Sequence, residues 1–136
     1  HAKDRRQRQM CIRDRCSSDY RVGSSGNFKI GANELRNNMI IPTPILEIAK
    51  FKLNKTHKQR ALLNAEMYAI EDAIEPGYLD EVVAPEKVFE VAMTKAKDLA
   101  TLAHPQYLQT KKLDQEAIFK KISDGIEKIT ASSIMP

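Results

Sequence analysis

The chain has 136 residues, 42% hydrophobic and 29% charged, the composition of one modest domain with its own core. Its apolar runs fall short of the ~20 residues a membrane-spanning helix needs, so that class is excluded. The net charge of +4 invites a nucleic-acid partner, but Lys3, Arg5, Arg6, Arg8, Arg13 and Arg15, set against Asp4 and Asp14, account for all of it, and the rest of the chain is balanced.

The segment Arg6-Gln7-Arg8-Gln9-Met10-Cys11-Ile12-Arg13-Asp14-Arg15 is similar to translated sequencing-adapter sequence, and the chain starts with His1. Residues 1–15 are therefore expected to be a foreign or disordered head, outside fold reasoning. A basic arm for RNA or anionic lipid would carry aromatic residues for base stacking or an amphipathic repeat, and this head has neither. Neither a nucleic-acid nor a membrane partner is expected. Cys11 and Cys16 make no disulfide framework or zinc site, which fits a reducing, cytoplasmic setting. His1, His57 and His104 are too scattered for a metal site and read as surface or packing residues.

Ser17 to Val22 reads as the end of a strand, with Tyr20 and Val22 on one face. Gly23-Ser24-Ser25-Gly26-Asn27 is a turn. Phe28 to Ile30 alternates like a short half-buried strand, and Gly31 lets the backbone turn or pack closely. Glu34 follows at once, and then the apolar Met39-Ile40-Ile41 closed by Pro42 and Pro44. On local pattern alone Glu34 is most simply an exposed loop carboxylate. Held between two apolar segments, it would instead be poised for acid/base work near neutral pH.

Pro44 suits the first residue of a helix, and Ile45, Leu46, Ile48, Ala49 and Leu53 follow at helical spacing. A second helix opens at Thr56, with Gln59 as its capping-box partner, and runs to about Glu66. Glu71 to Glu75 is one further turn, stopped by Pro76-Gly77, and Leu79 to Val83 is a short apolar stretch. Pro85 starts a long helix with Val88, Phe89, Val91, Ala92, Ala96 and Leu99 as its buried stripe, fading near Leu102. A short helix spans Gln106 to Lys112. Asp114 then caps a last amphipathic helix carrying Ile118, Phe119, Ile122, Ile126 and Ile129. Gly125 inside that helix costs about 1 kcal/mol against Ala. No nucleophile elbow, phosphate loop or internal repeat is present.

Five segments stand in a telling order: Ser18-Asp19-Tyr20-Arg21-Val22-Gly23, Phe28-Lys29-Ile30-Gly31-Ala32-Asn33-Glu34, Asn64-Ala65-Glu66-Met67-Tyr68, Glu71-Asp72-Ala73, and Gly77-Tyr78-Leu79-Asp80-Glu81-Val82-Val83. Together they resemble the enoyl-CoA hydratase/isomerase family, the crotonases, over about residues 17 to 128. The resemblance implies an α/β, crotonase-like (β-β-α) fold fragment, mostly helical here, with two or three short strands near the N-terminus. It implies that residues 16–84 are the C-terminal part of the core and 85–136 a C-terminal helical region.

By that resemblance the substrate is an acyl-CoA thioester, coenzyme A is part of the substrate and no separate cofactor is needed. The full-length protein would be a homo-trimer or hexamer. Glu34 stands at the catalytic carboxylate position, and Asn33, Met39 and Pro42 are the matching substrate-binding positions. The Asn33-Glu34 pair looks most like the isomerase branch, where one Glu carries a proton between carbons. The hydratases' other Glu would fall at Arg13, inside the head, and both oxyanion segments lie upstream of Ser17. Family members commonly have Gly where Asn38 stands, and Asn is the next residue to tolerate a left-handed backbone. Lys111-Lys112 is either a reach toward a CoA phosphate or a solvated helix end. The parent is thus expected to be an enzyme and this chain inactive by itself. The alternative is a non-catalytic helical oligomerisation or interaction module, built from the helices after Pro85.

Overall fold

A computed structural model describes residues 16–134 of the chain, so the expectations for the head, including Cys11 and Arg13, lie outside the described residues. Among the described residues helices dominate, and four short strands form two two-stranded sheets. Strand β1 (Val22–Ser24) pairs in parallel with β4 (Glu81–Val83), Gly23 opposite Val82. Strand β2 (Lys29–Ile30) pairs antiparallel with β3 (Tyr68–Ala69), Ile30 opposite Tyr68. Strands near the N-terminus were expected; their partners come from the middle of the chain, and β1 takes Gly23 and Ser24, which the local pattern assigns to a turn. The reason is tertiary. Arg21 accepts amide hydrogens from Asp80 and Glu81 on its carbonyl, and this sets β4 beside residues 22–24.

Helix α1 (Thr43–Lys52) has Pro44 in its first turn and Lys50 and Lys52 in its last, the ends where each is favoured. Ala49 and, just beyond the helix, Leu53 join Ile30, Ile41, Leu62, Tyr68 and Leu79 in one core. The expected capping box at Thr56 and Gln59 does not form. The Thr56 amide and hydroxyl both donate to Asn54 Oδ1, an Asx turn that takes over the capping role, while Gln59 Nε2 donates to Asn64 Oδ1. The segment Gln59–Leu63 is wound as a π-helix, capped by Asn64, and Ala65 beyond it is left-handed with φ 49°. A 3-10 turn, Ile70–Asp72, replaces the helical turn expected to run to Glu75.

After a 3-10 turn at Pro85–Lys87 comes α2 (Val88–Leu99). None of its residues is buried by the described part of the chain, and Phe89 is 78% exposed. The stripe read as buried is therefore apolar but only partly covered here, Val88, Val91 and Leu99 being half-buried and Phe89, Ala92 and Ala96 exposed. Helix α3 (His104–Ile134) runs unbroken through the position where Asp114 was expected to cap a new helix. The cap signal loses because Lys111-Lys112-Leu113 and Gln115-Glu116-Ala117 are good helix formers with no Gly or Pro between them. Gly125 is the point where α3 meets α1. A Cβ there would lie 3.0 Å from Thr43 Cγ2 and 3.3 Å from Pro44 Cδ, so close packing accounts for the glycine. No helix among the described residues is long and apolar enough to cross a membrane.

Gly31 has a similar packing cause. A Cβ at this position would sit 2.7 Å from the Glu66 carbonyl oxygen and 2.8 Å from Met67 Sδ. The carbonyl is backbone and cannot swing away, so Gly31→Ala is expected to destabilise the chain by about 1–3 kcal/mol. Chemical denaturation of the two proteins checks this; equal midpoints would show that the backbones separate freely.

Candidate active site

Glu34 is delivered by β2 and held by the turn that follows. A 3-10 turn, Leu35–Asn37, begins immediately after it, and the Glu34 carbonyl accepts amide hydrogens from Asn37 and Met39, each at 2.9 Å. Asn38 closes the turn with φ 56° and ψ 33°, the left-handed conformation expected where Gly is common. Arg36 braces it from outside, donating from Nε to the Ala65 carbonyl at 2.6 Å.

The Glu34 side chain faces a cavity of about 90 Å³, lined also by Cys16, Ala32, Ile41, Ile45, Ile48, Ala49, Leu62 and Tyr78. The face of α1 supplies three of these residues, the β2 exit two, and the turn after Gly77 supplies Tyr78. Almost the whole lining is hydrocarbon. Glu34 Oε2 is buried and no hydrogen-bond donor reaches it. Such an oxygen is rare, because a buried carboxylate normally collects donors. A carboxylate with one bare oxygen against an apolar wall can take a proton from, or return one to, a carbon held in that space.

Tyr78 lies opposite in chemistry. It is 1% exposed, its ring tilted against Tyr68 at 5.9 Å between centroids, and its hydroxyl has no hydrogen-bond partner. Burial holds the phenol well above the usual tyrosine range. The Ala32 peptide pulls the other way without reaching bonding geometry, and the nearby Cys16 and Glu34 add to the rise. Nothing local in the sequence singled out Tyr78; only the fold brings it to Glu34.

The other site residues expected from sequence are placed differently. Asn33, Met39 and Pro42 do not line the cavity. The Asn33 carbonyl accepts from Asn37 Nδ2, Met39 is 46% exposed, and Pro42 precedes α1 with its carbonyl bonded by the Leu46 amide. Each is next to, or one residue from, a cavity residue or the turn that holds Glu34. His57 is a packing residue, buried against Tyr68. Among the described residues no group of His, Cys, Asp and Glu side chains could hold a metal ion.

Lys111 is not a solvated helix end. Its ammonium is bonded to Asp19 Oδ2, which the Tyr107 hydroxyl also approaches at 3.2 Å, tying α3 to the segment before β1. The hydrogen bond from Lys111 holds the Asp19 carboxyl below its ordinary range, and the same bond raises Lys111. For a carboxyl depressed in the folded state, the stabilisation is present above the unfolded pKa near 4 and is lost as pH falls through the folded value. For the raised lysine it is present below about 10 and lost at higher pH. Both groups are partly exposed, so Asp19→Asn is expected to cost less than about 1 kcal/mol at pH 7 and less than that at pH 3, as the pH falls toward the folded Asp19 value. Urea midpoints at the two pH values test it; an equal loss at both would assign the effect to something other than charge.

Solved structures with this arrangement of elements exist. The chain aligns with an enoyl-CoA hydratase, EchA3, from Mycobacterium ulcerans at 32% identity and TM-score 0.83, over 90% of this chain and 53% of that one. It aligns with an enoyl-CoA hydratase/isomerase family protein from Pseudomonas syringae at 31% identity and TM-score 0.82, over 86% of this chain and 51% of that one. A Mycobacterium tuberculosis protein, described in one structure as an enoyl-CoA isomerase and in another as a probable enoyl-CoA hydratase, matches in the first at 31% identity and TM-score 0.82, over 88% and 53% of the two chains. Over about half of their length, then, the chain resembles members of the enoyl-CoA hydratase/isomerase family and shares their crotonase fold. No family sequence model and no curated protein sequence matches it. This crotonase-fold chain spans about half the length of the solved structures it matches. The fold expected from the ordered segments is thus the one observed, with its strands redistributed as described.

Proposed function

We propose that this chain is the carboxylate-bearing half of an acyl-CoA enzyme that moves a proton at an enoyl-CoA thioester. The observation that carries the reading is Glu34 Oε2, buried without a donor against an apolar cavity. In this reading the cavity takes the acyl carbons nearest the thioester, and Glu34 is the acid/base. It removes a proton from the carbon beside the carbonyl, and the negative charge moves to the thioester oxygen. That oxygen needs a pair of fixed hydrogen-bond donors. We assign those donors to the remainder of the enzyme, so the chain alone is expected to be inactive. Return of the proton two carbons further along is isomerisation; hydration adds water across the double bond instead. Asn33, Met39 and Pro42 form the rim of the acyl site, by their place beside Glu34 and Ile41. Coenzyme A is part of the substrate, no separate cofactor takes part, and the enzyme is cytoplasmic.

Residues 16–84 are, in the same proposal, the C-terminal part of the core, and 85–136 the helical region through which a trimer or hexamer assembles. The uncovered apolar side chains of α2 and α3, Phe89, Leu113, Phe119 and Ile126 among them, support that assignment. They also favour the second reading, a helical interaction module without catalysis. The test is to assay the full-length protein on a 3-enoyl-CoA and a 2-enoyl-CoA. Turnover of either supports the enzyme; an assembled protein inert on both leaves the interaction module.

A further inference from the structure

Two polar atoms in the acyl cavity have no partner, and they are of complementary kind. Glu34 Oε2 can only accept while ionised, and the Tyr78 hydroxyl can donate. Both line the same cavity of about 90 Å³, yet they do not bond each other. A phenylalanine at position 78 would fill the same space without leaving a buried hydroxyl unsatisfied, which is destabilising. A cavity meant for hydrocarbon alone has no use for that oxygen.

We propose that Tyr78 is a positioning residue which, together with Glu34, holds a single hydroxyl group in the cavity. That group accepts a hydrogen bond from Tyr78 and donates one to Glu34. An ammonium would leave Tyr78 without an acceptor, a carboxylate would be repelled by Glu34, and a ketone would satisfy Tyr78 alone. A cavity of this size accommodates more than one water, and two polar partners are enough to order one. The group has two sources: a water molecule, or a hydroxyl carried by the acyl chain. Tyr78 thereby biases the enzyme toward reactions in which such an oxygen is added or removed. This bias rests on the acyl-CoA reading above; the holding of a hydroxyl does not.

The experiment has two arms. The first uses the chain as it stands: a high-resolution crystal structure, with water-to-Tyr78 nuclear Overhauser effects in solution, is expected to show an ordered water within hydrogen-bond distance of both Tyr78 Oη and Glu34 Oε2. The second compares the full-length wild type with Tyr78→Phe, which keeps the ring. Its kcat/KM for hydration of a 2-enoyl-CoA, and for the reverse dehydration, is expected to fall by about 10- to 100-fold, while isomerisation of a 3-enoyl-CoA changes less than about 3-fold and Tm does not fall. A dry cavity with weakened binding of a 3-hydroxyacyl-CoA, but not of the saturated acyl-CoA, assigns the site to the substrate's own hydroxyl. A dry cavity with no selective loss overturns the proposal, as does an equal loss in hydration and isomerisation. If the wild type turns over no enoyl thioester, the functional reading fails by itself. The first arm then decides this one, a bridging water supporting it and a dry cavity overturning it.

Discussion

Glu34→Gln in the full-length enzyme is expected to lower kcat by about 10²–10⁴-fold, the usual loss when a positioned acid/base is removed. Gln preserves the volume and the turn, since the backbone of residue 34 is held by the Asn37 and Met39 amides and not by its side chain. What it removes is the oxygen able to take a proton. Substrate binding is expected to change much less than turnover, because the cavity wall is hydrocarbon contributed by other residues. A second substitution separates function from architecture. Glu34→Leu removes a buried carboxylate oxygen that no donor stabilises, so its Tm is expected to equal or exceed that of the wild type while activity is lost. If Gln retains turnover, or Leu unfolds the protein, Glu34 is a structural carboxylate and the site assignment fails.

The largest expected effect on stability comes from Asp80→Asn. Arg21 is 8% exposed, and Asp80 grips one edge of the guanidinium, Nε to Oδ2 at 3.0 Å and Nη2 to Oδ1 at 3.2 Å. Nη1 donates to the Gly77 carbonyl at 2.6 Å, and the Arg21 amide donates to Asp80 Oδ2 at 2.8 Å. One carboxylate thus neutralises a buried cation and fixes the residue that leads into β1. Removing its charge strands the guanidinium, which costs about 3–5 kcal/mol for buried pairs, with the lower figure apt here because Asp80 is 30% exposed. Replacing both members with apolar residues, Arg21→Met with Asp80→Leu, is expected to recover much of that loss, because no bare charge remains. Denaturant titration of the wild type and the two variants measures it. A loss below about 1 kcal/mol for Asp80→Asn would show that water reaches the guanidinium. Because Gly77 and Tyr78 lie in the same turn, the Asp80 variant is also expected to loosen the cavity wall.

Some of this was readable from residue order. The alternation at Phe28 to Ile30, the glycine after it and the carboxylate beyond point to a short strand that Glu34 follows. Pro44 and the helical spacing after it announce α1, and the left-handed Asn38 follows from what Asn tolerates. These are local matters, settled by steric limits and short-range hydrogen bonds. The order of the five quoted segments indicated the family, and the solved structures agree. Local signals misled where two of them competed. Asn54 displaced the Thr56 cap, and strong helix formers around Asp114 carried α3 past a plausible start.

What residue order could not reveal are the pairings between distant parts of the chain. The β1–β4 register depends on Arg21 and Asp80, whose meeting no local pattern records. The stripe on α2 has helical spacing, but burial depends on what packs against it, and spacing carries no information about that. The same holds at the site. The sequence by itself determined that a carboxylate follows β2 and that apolar residues surround it in the chain. Only the tertiary structure decided that one oxygen of Glu34 is left bare, that α1 forms the facing wall, and that the Tyr78 hydroxyl joins it. Desolvation and hydrogen-bond satisfaction are set by all the atoms around a group, and those atoms come from five separate stretches of the chain.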